Sequence, residues 1–132
     1  MKRSQKNAQH NERGAVAVEF ALVAPILVAI IIAIIEFSNA YNVQVSVTQA
    51  SREAARTMAI TKDVAKATAA GQAGAPSINP ALLAFDYSAA TCPAATPAST
   101  ALVTVTYNGS TLTGFFGSGL SLTGKGAMQC GG

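Results

Sequence analysis

The chain has 132 residues, half of them apolar, and a formal net charge of +3. Lys2, Arg3, Lys6 and Arg13 against Glu12 account for that whole excess, and everything after Gly14 is charge-balanced. No basic cluster interleaved with aromatics exists beyond this head, which excludes nucleic acid as a partner; and His10, the one histidine, lies in the head, which leaves no Ser-His-Asp or Cys-His set elsewhere.

Residues 1–14 read as a basic leader, polar and without apolar periodicity, and residues 1–13 are expected to be disordered. Residues 15–35 follow as an apolar run, Ala15 to Ile35, whose one charge is Glu19. As a helix the run spans about 31 Å, which matches the hydrocarbon thickness of a bilayer. It is long for a secretory signal, and no convincing A-x-A cleavage site follows it. The excess of Lys and Arg before it keeps the N-terminus cytoplasmic and sends the rest across the membrane. Pro25 removes the hydrogen bond to the Ala21 carbonyl, so a modest kink is expected there.

Residues 36–70 read as an amphipathic helical stalk. Phe37, Tyr41, Val45, Thr48, Arg52, Ala55 and Ala59 recur at helical spacing, with Val43, Val47, Ala50, Ala54 and Met58 on a neighbouring stripe. Neither Gly nor Pro occurs between Pro25 and Gly71, so one helix is predicted to continue out of the membrane to about Ile60. Thr61 is expected to cap a second short helix reaching about Ala70, with Asp63 in its first turn.

Residues 71–132 read as a small β-rich domain, opened by a Gly-, Pro-, Ser- and Asn-rich loop from Gly71 to Pro80. Leu82 to Tyr87 is a short apolar strand candidate, and Thr91 to Thr100 is a loop carrying Cys92. Leu102 to Tyr107 alternates with period two, as a half-buried strand does. Asn108-Gly109 predicts a type I′ hairpin turn, with Ser110 to Thr113 as the returning strand. Gly114 to Gly119 is a glycine-rich loop with two aromatics, and Leu120 to Met128 is a final strand. The predicted class is α+β: a long N-terminal helix, half membrane and half amphipathic and periplasmic, followed by a small antiparallel sheet. Alanine supplies much of the apolar content beyond the run, so thin packing is expected.

Cys92 and Cys130 both fall in the exported part, where an oxidising compartment favours a disulfide; two unpaired thiols are the alternative. Two cysteines and a distant histidine make no metal ligand set, and no cofactor is expected. Catalysis has little to stand on. Glu53, Asp63 and Asp86 are scattered, nothing positions Lys62, Lys66 or Lys125 against a serine, and the 114–119 loop lacks the lysine of a phosphate loop. Asn108-Gly109-Ser110 fits a glycosylation pattern, but a turn accounts for the same residues. Arg52, Glu53 and Arg56 share one helical turn; they read either as a solvated face or as a surface for docking a neighbouring subunit.

Glu19 is the residue a plain anchor would lack, since a carboxylate within a hydrocarbon-facing helix costs about 2.5–3.5 kcal/mol. If the chain is cut between Gly14 and Ala15, the new amine lies one helical turn before Glu19, where ammonium and carboxylate can compensate each other. Gly14 suits a cleavage site because it has no side chain and permits an extended strand in a protease cleft.

The basic head, Gly14, four apolar residues, Glu19 and Phe20 together resemble the type IV pilin class. More narrowly, Gly14 to Ile60 resembles the TadE-like minor pseudopilins of the tight-adherence (Tad) pilus machinery. Glu19-Phe20, Ala24-Pro25, Glu36-Phe37 and the Arg52-Glu53-Ala54-Ala55-Arg56 block carry that resemblance, and "VTVTY" and "LTGKGAMQ" extend it more loosely. Family members commonly have proline after "VTVTY", where this chain has Asn108-Gly109. The resemblance implies a minor pseudopilin that helps to assemble a surface pilus for adherence or secretion, with prepilin peptidase cleavage at Gly14/Ala15 and an assembly role for Glu19 and Phe20. It implies as partners the peptidase, the major pilin, other minor pseudopilins, the inner-membrane assembly platform and membrane lipid. The location implied is the bacterial inner membrane, with a single pass and incorporation into a surface pilus. The competing reading is an uncleaved signal-anchor protein whose exported domain binds a partner, as an adhesin subunit would; a domain released from a signal peptide is a third.

Overall fold

The computed structural model describes residues 6–90, 92, 99–115 and 117–130, with side chains described from Gly14 onward. The described residues are α+β: one very long helix, a short helix and a three-stranded antiparallel sheet. They fall into two compact units, 1–37 and 38–132.

Helix α1 runs Lys6–Thr61, 56 residues, with Pro25 inside it. Its first residues fall in the segment that composition marks as disordered. Nothing before Gly14 breaks a helix, and a single interior glycine costs only about 1 kcal/mol relative to alanine. In the 1–37 unit the side chains from Gly14 onward are mostly exposed, and Val16, Phe20, Leu22 and Ile26 are each more than half accessible. Glu36 is buried.

In the 38–132 unit α1 ends where it is predicted to end. Lys62 takes a left-handed conformation, φ 55°, and its N–H reaches the Met58 carbonyl at 2.9 Å. The cap of the next helix differs from expectation. Asp63, not Thr61, is the N-cap of α2, Val64–Ala73, accepting from the Ala65 and Lys66 N–H groups at 2.9 and 3.2 Å. Thr61 Oγ1 is engaged within its own helix, donating to the Thr57 carbonyl at 2.8 Å, so the carboxylate is the side chain left to satisfy the new helix's orphan donors.

Past a short 3-10 turn at Pro80–Leu82 come β1 Leu83–Ala89, β2 Thr100–Gly109 and β3 Leu120–Gln129, in the order β1-β2-β3. The expected loop around Cys92 falls largely outside the described residues. Asn108-Gly109 is not the hairpin turn. Both residues extend β2, with Asn108 opposite Ser121 and Gly109 opposite Leu120, and Ser110 to Thr113 belong to the connecting loop rather than to a returning strand. A type I′ turn needs positive φ at both central residues, and in this region positive φ occurs at Gly114 (71°) and Gly117 (121°) instead. The outer end of the Tyr107 ring lies over Gly109, so a Cβ there would have to displace that ring.

The core lies between α1 and one face of the sheet. Val47, Ala50, Ala54, Ala55 and Ala59 of α1 meet Leu83 of β1 and Ala101, Val103, Val105 and Tyr107 of β2. The buried stripe is the one through Val47, Ala50 and Ala54, while Tyr41, Val45 and Arg52 of the neighbouring stripe stay exposed. The packing is thin as well as buried: the largest fully buried side chains are Val47, Val103, Val105 and Ser51. Thin side chains bring backbones together. At Gly124 a Cβ would lie 2.7 Å from the Val47 carbonyl oxygen, and at Gly126 one would collide with the Ser51 carbonyl. Phe85 of β1 stacks near Tyr87 with ring centroids 6.2 Å apart, and Tyr87 joins α2 through a 2.8 Å hydroxyl–hydroxyl bond to Thr68.

Both outer strands have polar contacts at their rims. Gln44 Nε2 donates to the Thr123 carbonyl of β3 at 3.1 Å. Asp86 Oδ1 on β1 accepts from the Ser88 N–H at 2.9 Å, and this bond holds its carboxyl below the usual carboxylate range.

Candidate functional site

The residues singled out by sequence lie in three places along the chain. The first is the start of the apolar helix. Gly14, Ala15, Glu19 and Phe20 are all exposed there. A side chain at Gly14 would meet nothing within 4 Å, so packing among the described residues does not require a glycine at this position. Glu19 forms no hydrogen bond or ion pair among the described residues. From Gly14 the helix is long and apolar enough to cross a membrane, and none of its most apolar stretch is buried by the rest of the chain. Such a surface has no solvent match in water; it needs lipid or other helices around it.

Arg52, Glu53 and Arg56 form the second place, on the outer side of α1. All three are exposed, and the spacing of Glu53 and Arg56 does not bring them into an ion pair among the described residues. Glu53 lies along the end of α2, its Cγ within 3.4 Å of where a Cβ on Gly74 would stand. The two guanidinium groups present an unneutralised pair of charges one turn apart.

The third place is the covalent tie. Cys92 and Cys130 form a disulfide with a Cα–Cα separation of 5.6 Å, and the Cys130 N–H donates to the Ser99 carbonyl at 2.9 Å. The bridge fastens the residue after β3 to the chain that precedes β2. On β1, burial raises the Tyr87 hydroxyl above the ordinary tyrosine range, against the lowering effect of Thr68.

One feature carried no signal in the sequence. Asn39, Val43, Ile78, Tyr107 and Leu112 line an open cleft of ≈ 330 Å³, rimmed by Ser77, Asn79, Ser110 and Thr111. It depends on the β3 register, which sets where the 110–119 loop lies, and a period-two pattern does not report register. No group of three or more His, Cys, Asp or Glu that could hold a metal occurs among the described residues.

A comparison with protein-family models matches residues 14–56 to the family described as TadE-like protein. The match begins at Gly14 and ends at Arg56, so it takes in both the Glu19-Phe20 pair and the Arg-Glu-Ala-Ala-Arg block. No curated protein and no solved structure matches the chain.

Proposed function

We propose that this chain, a TadE-like protein over residues 14–56, is a minor pseudopilin that takes part in assembling a Tad-type pilus for adherence or secretion. The role is structural rather than catalytic. Residues 15–35 form the single membrane span, with the head of residues 1–14 in the cytoplasm, residues 36–70 the stalk and residues 71–132 the exported β-rich domain. The membrane is the bacterial inner membrane.

The observation that carries this reading is the coincidence at Gly14: the family segment begins there, and no packing among the described residues explains the glycine. A prepilin peptidase cuts after it and frees the Ala15 amine. Gly14 lies within a helix, so the cut requires local unwinding, which a glycine lowers by about 1 kcal/mol relative to alanine. The new ammonium, one turn from Glu19, then compensates the carboxylate within a subunit or between neighbours. Glu19 and Phe20 face other subunits in the membrane. Arg52, Glu53 and Arg56 dock a neighbour above it, among the major pilin, other minor pseudopilins and the assembly platform.

Mass and N-terminal sequencing of the protein from its native membrane test the reading. A start at Ala15 is the expected result, and Glu19→Ala is expected to abolish assembly while leaving insertion and processing intact. An intact Met1 terminus would favour a passive anchor, and a start beyond Ile35 would mean ordinary secretion.

A further inference from the structure

Within the 38–132 unit the sheet turns one face to α1 and leaves the other uncovered among the described residues. Gly124 and Gly126 of β3 abut the Val47 and Ser51 carbonyls of α1, so the residues alternating with them turn the other way. On that outer face two complete cross-strand rows stand side by side. Ala84, Thr106 and Thr123 make one, and Asp86, Thr104 and Lys125 make the next. Thr104 and Thr106 are half-buried, and the other four are exposed. Helix α2 lies on the inner side, where Gly71 faces the Phe85 ring and the Ala50 carbonyl.

The second row is the one that carries charge. Asp86 and Lys125 flank Thr104, with their backbones two strand spacings, about 10 Å, apart. They are the only charged side chains in the three strands. Neither belongs to an ion pair among the described residues, and the Ser88 N–H holds Asp86 ionised. A row that ends in opposite charges is complementary to itself. Turning a second copy by half a revolution about an axis along β2 at Thr104 lays sheet on sheet. Each Asp86 then stands over the other copy's Lys125, and Thr104 faces Thr104. An axis across the strands would instead set Asp86 on Asp86 and Lys125 on Lys125, which like-charge repulsion rejects. Because a two-fold contact uses the same patch on both copies, one row supplies two ion pairs. The neighbouring alanine and threonines are short, so nothing in these two rows props the sheets apart.

We propose that the outer face of the sheet docks a second copy of this chain, face to face about a two-fold axis along β2, with Asp86 of each copy on Lys125 of the other. The face measures at most about 33 Å by 14 Å, on the order of 450 Å² a side, against about 800 Å² per partner in a standard interface. The contact is therefore weak, and it forms between copies held at high local concentration rather than in dilute solution. It uses neither the apolar helix nor the surface of Arg52, Glu53 and Arg56, so its test stands apart from the reading of those segments.

The full-length protein carrying Thr104→Cys is treated with a short bis-maleimide in mild detergent, over a series of protein concentrations. Cys92 and Cys130 are bonded to each other, so the introduced thiol is the one that reacts. Ala69→Cys, exposed on α2, is the control for encounters made elsewhere on the chain. At the highest concentration the Thr104 variant is expected to give about fivefold or more cross-linked dimer over the Ala69 variant, as a formed contact raises the local concentration of one thiol at the other. Adding Lys125→Asp to the Thr104 variant, or Asp86→Lys, sets like charges together at both ends of the row and lowers the yield by about tenfold; the two reversals combined restore it. Both positions are exposed, and circular dichroism checks that each variant keeps its sheet. The Thr104 variant with its native charges is also cross-linked in rising salt, and its yield falls toward the Ala69 level by about 1 M. Equal yields at Thr104 and Ala69 would overturn the contact. A yield indifferent to salt, single reversals without effect, or a folded double reversal that restores nothing would overturn the ion pairs that define it.

Discussion

Gly126 shows how much a single missing side chain can determine here. The Ser51 carbonyl occupies the place where its Cβ would be, and both groups are backbone or fully buried, so neither can move aside. Gly126→Ala is expected to destabilise the 38–132 unit by about 2–3 kcal/mol, as overpacking does. Gly119→Ala, at a position with open space, should change stability by less than about 0.5 kcal/mol beyond any backbone-entropy gain. Chemical unfolding of the two variants, followed by circular dichroism, checks the contrast. The sequence shows "LTGKGAMQ" as a poor strand because two glycines interrupt it. Their reason becomes visible only when α1 lies across them. Gly109 misleads in the opposite way: Asn-Gly is a strong turn signal, yet the glycine lies under the outer end of the Tyr107 ring two residues earlier.

At the level of elements, the helices were legible and the hairpin was not. The absence of Gly and Pro from Pro25 to Gly71 carried α1 to its end, and the structure stops it at Thr61. Two adjacent cap candidates, Thr61 and Asp63, compete for α2, and the hydroxyl is lost to the Thr57 carbonyl. Asp63→Ala is therefore expected to cost about 1 kcal/mol and to fray the first turn of α2, while Thr61→Ala leaves that turn in place. Amide hydrogen exchange at Ala65 and Lys66 distinguishes the two, since these are the donors Asp63 holds. The hairpin reads differently because its loop is long. Extending β2 through Gly109 adds two pairs with β3, Asn108 with Ser121 and Gly109 with Leu120, which a turn at Asn108 would forgo. The candidate site divides in the same manner. Gly14, Glu19 and Phe20 stand out by type and spacing, whereas the position of the 110–119 loop depends on long-range register.

For the whole molecule, the balance is between a thin core and a covalent tie. A unit whose largest fully buried side chains are valines gains little from each one, and the Cys92–Cys130 bridge closes a loop of 38 residues against that weakness. Chain-entropy arguments put the bridge at about 3–4 kcal/mol. Replacing both cysteines by serine is expected to lower the unfolding free energy of the 38–132 unit by that amount while leaving the apolar helix intact. Denaturant unfolding of the variant beside the oxidised wild type measures the difference.

The contacts at the rims of the sheet bear on crowding. Subunits confined to a bilayer meet in two dimensions, where effective concentrations far exceed those of a dilute solution. A three-stranded sheet exposes two borders, and bare borders at such densities recruit one another indiscriminately. Gln44 occupies a carbonyl on one border, and Asp86 folds its carboxylate back onto the other. Each contact takes one backbone group away from those that a strand added at that border would pair with.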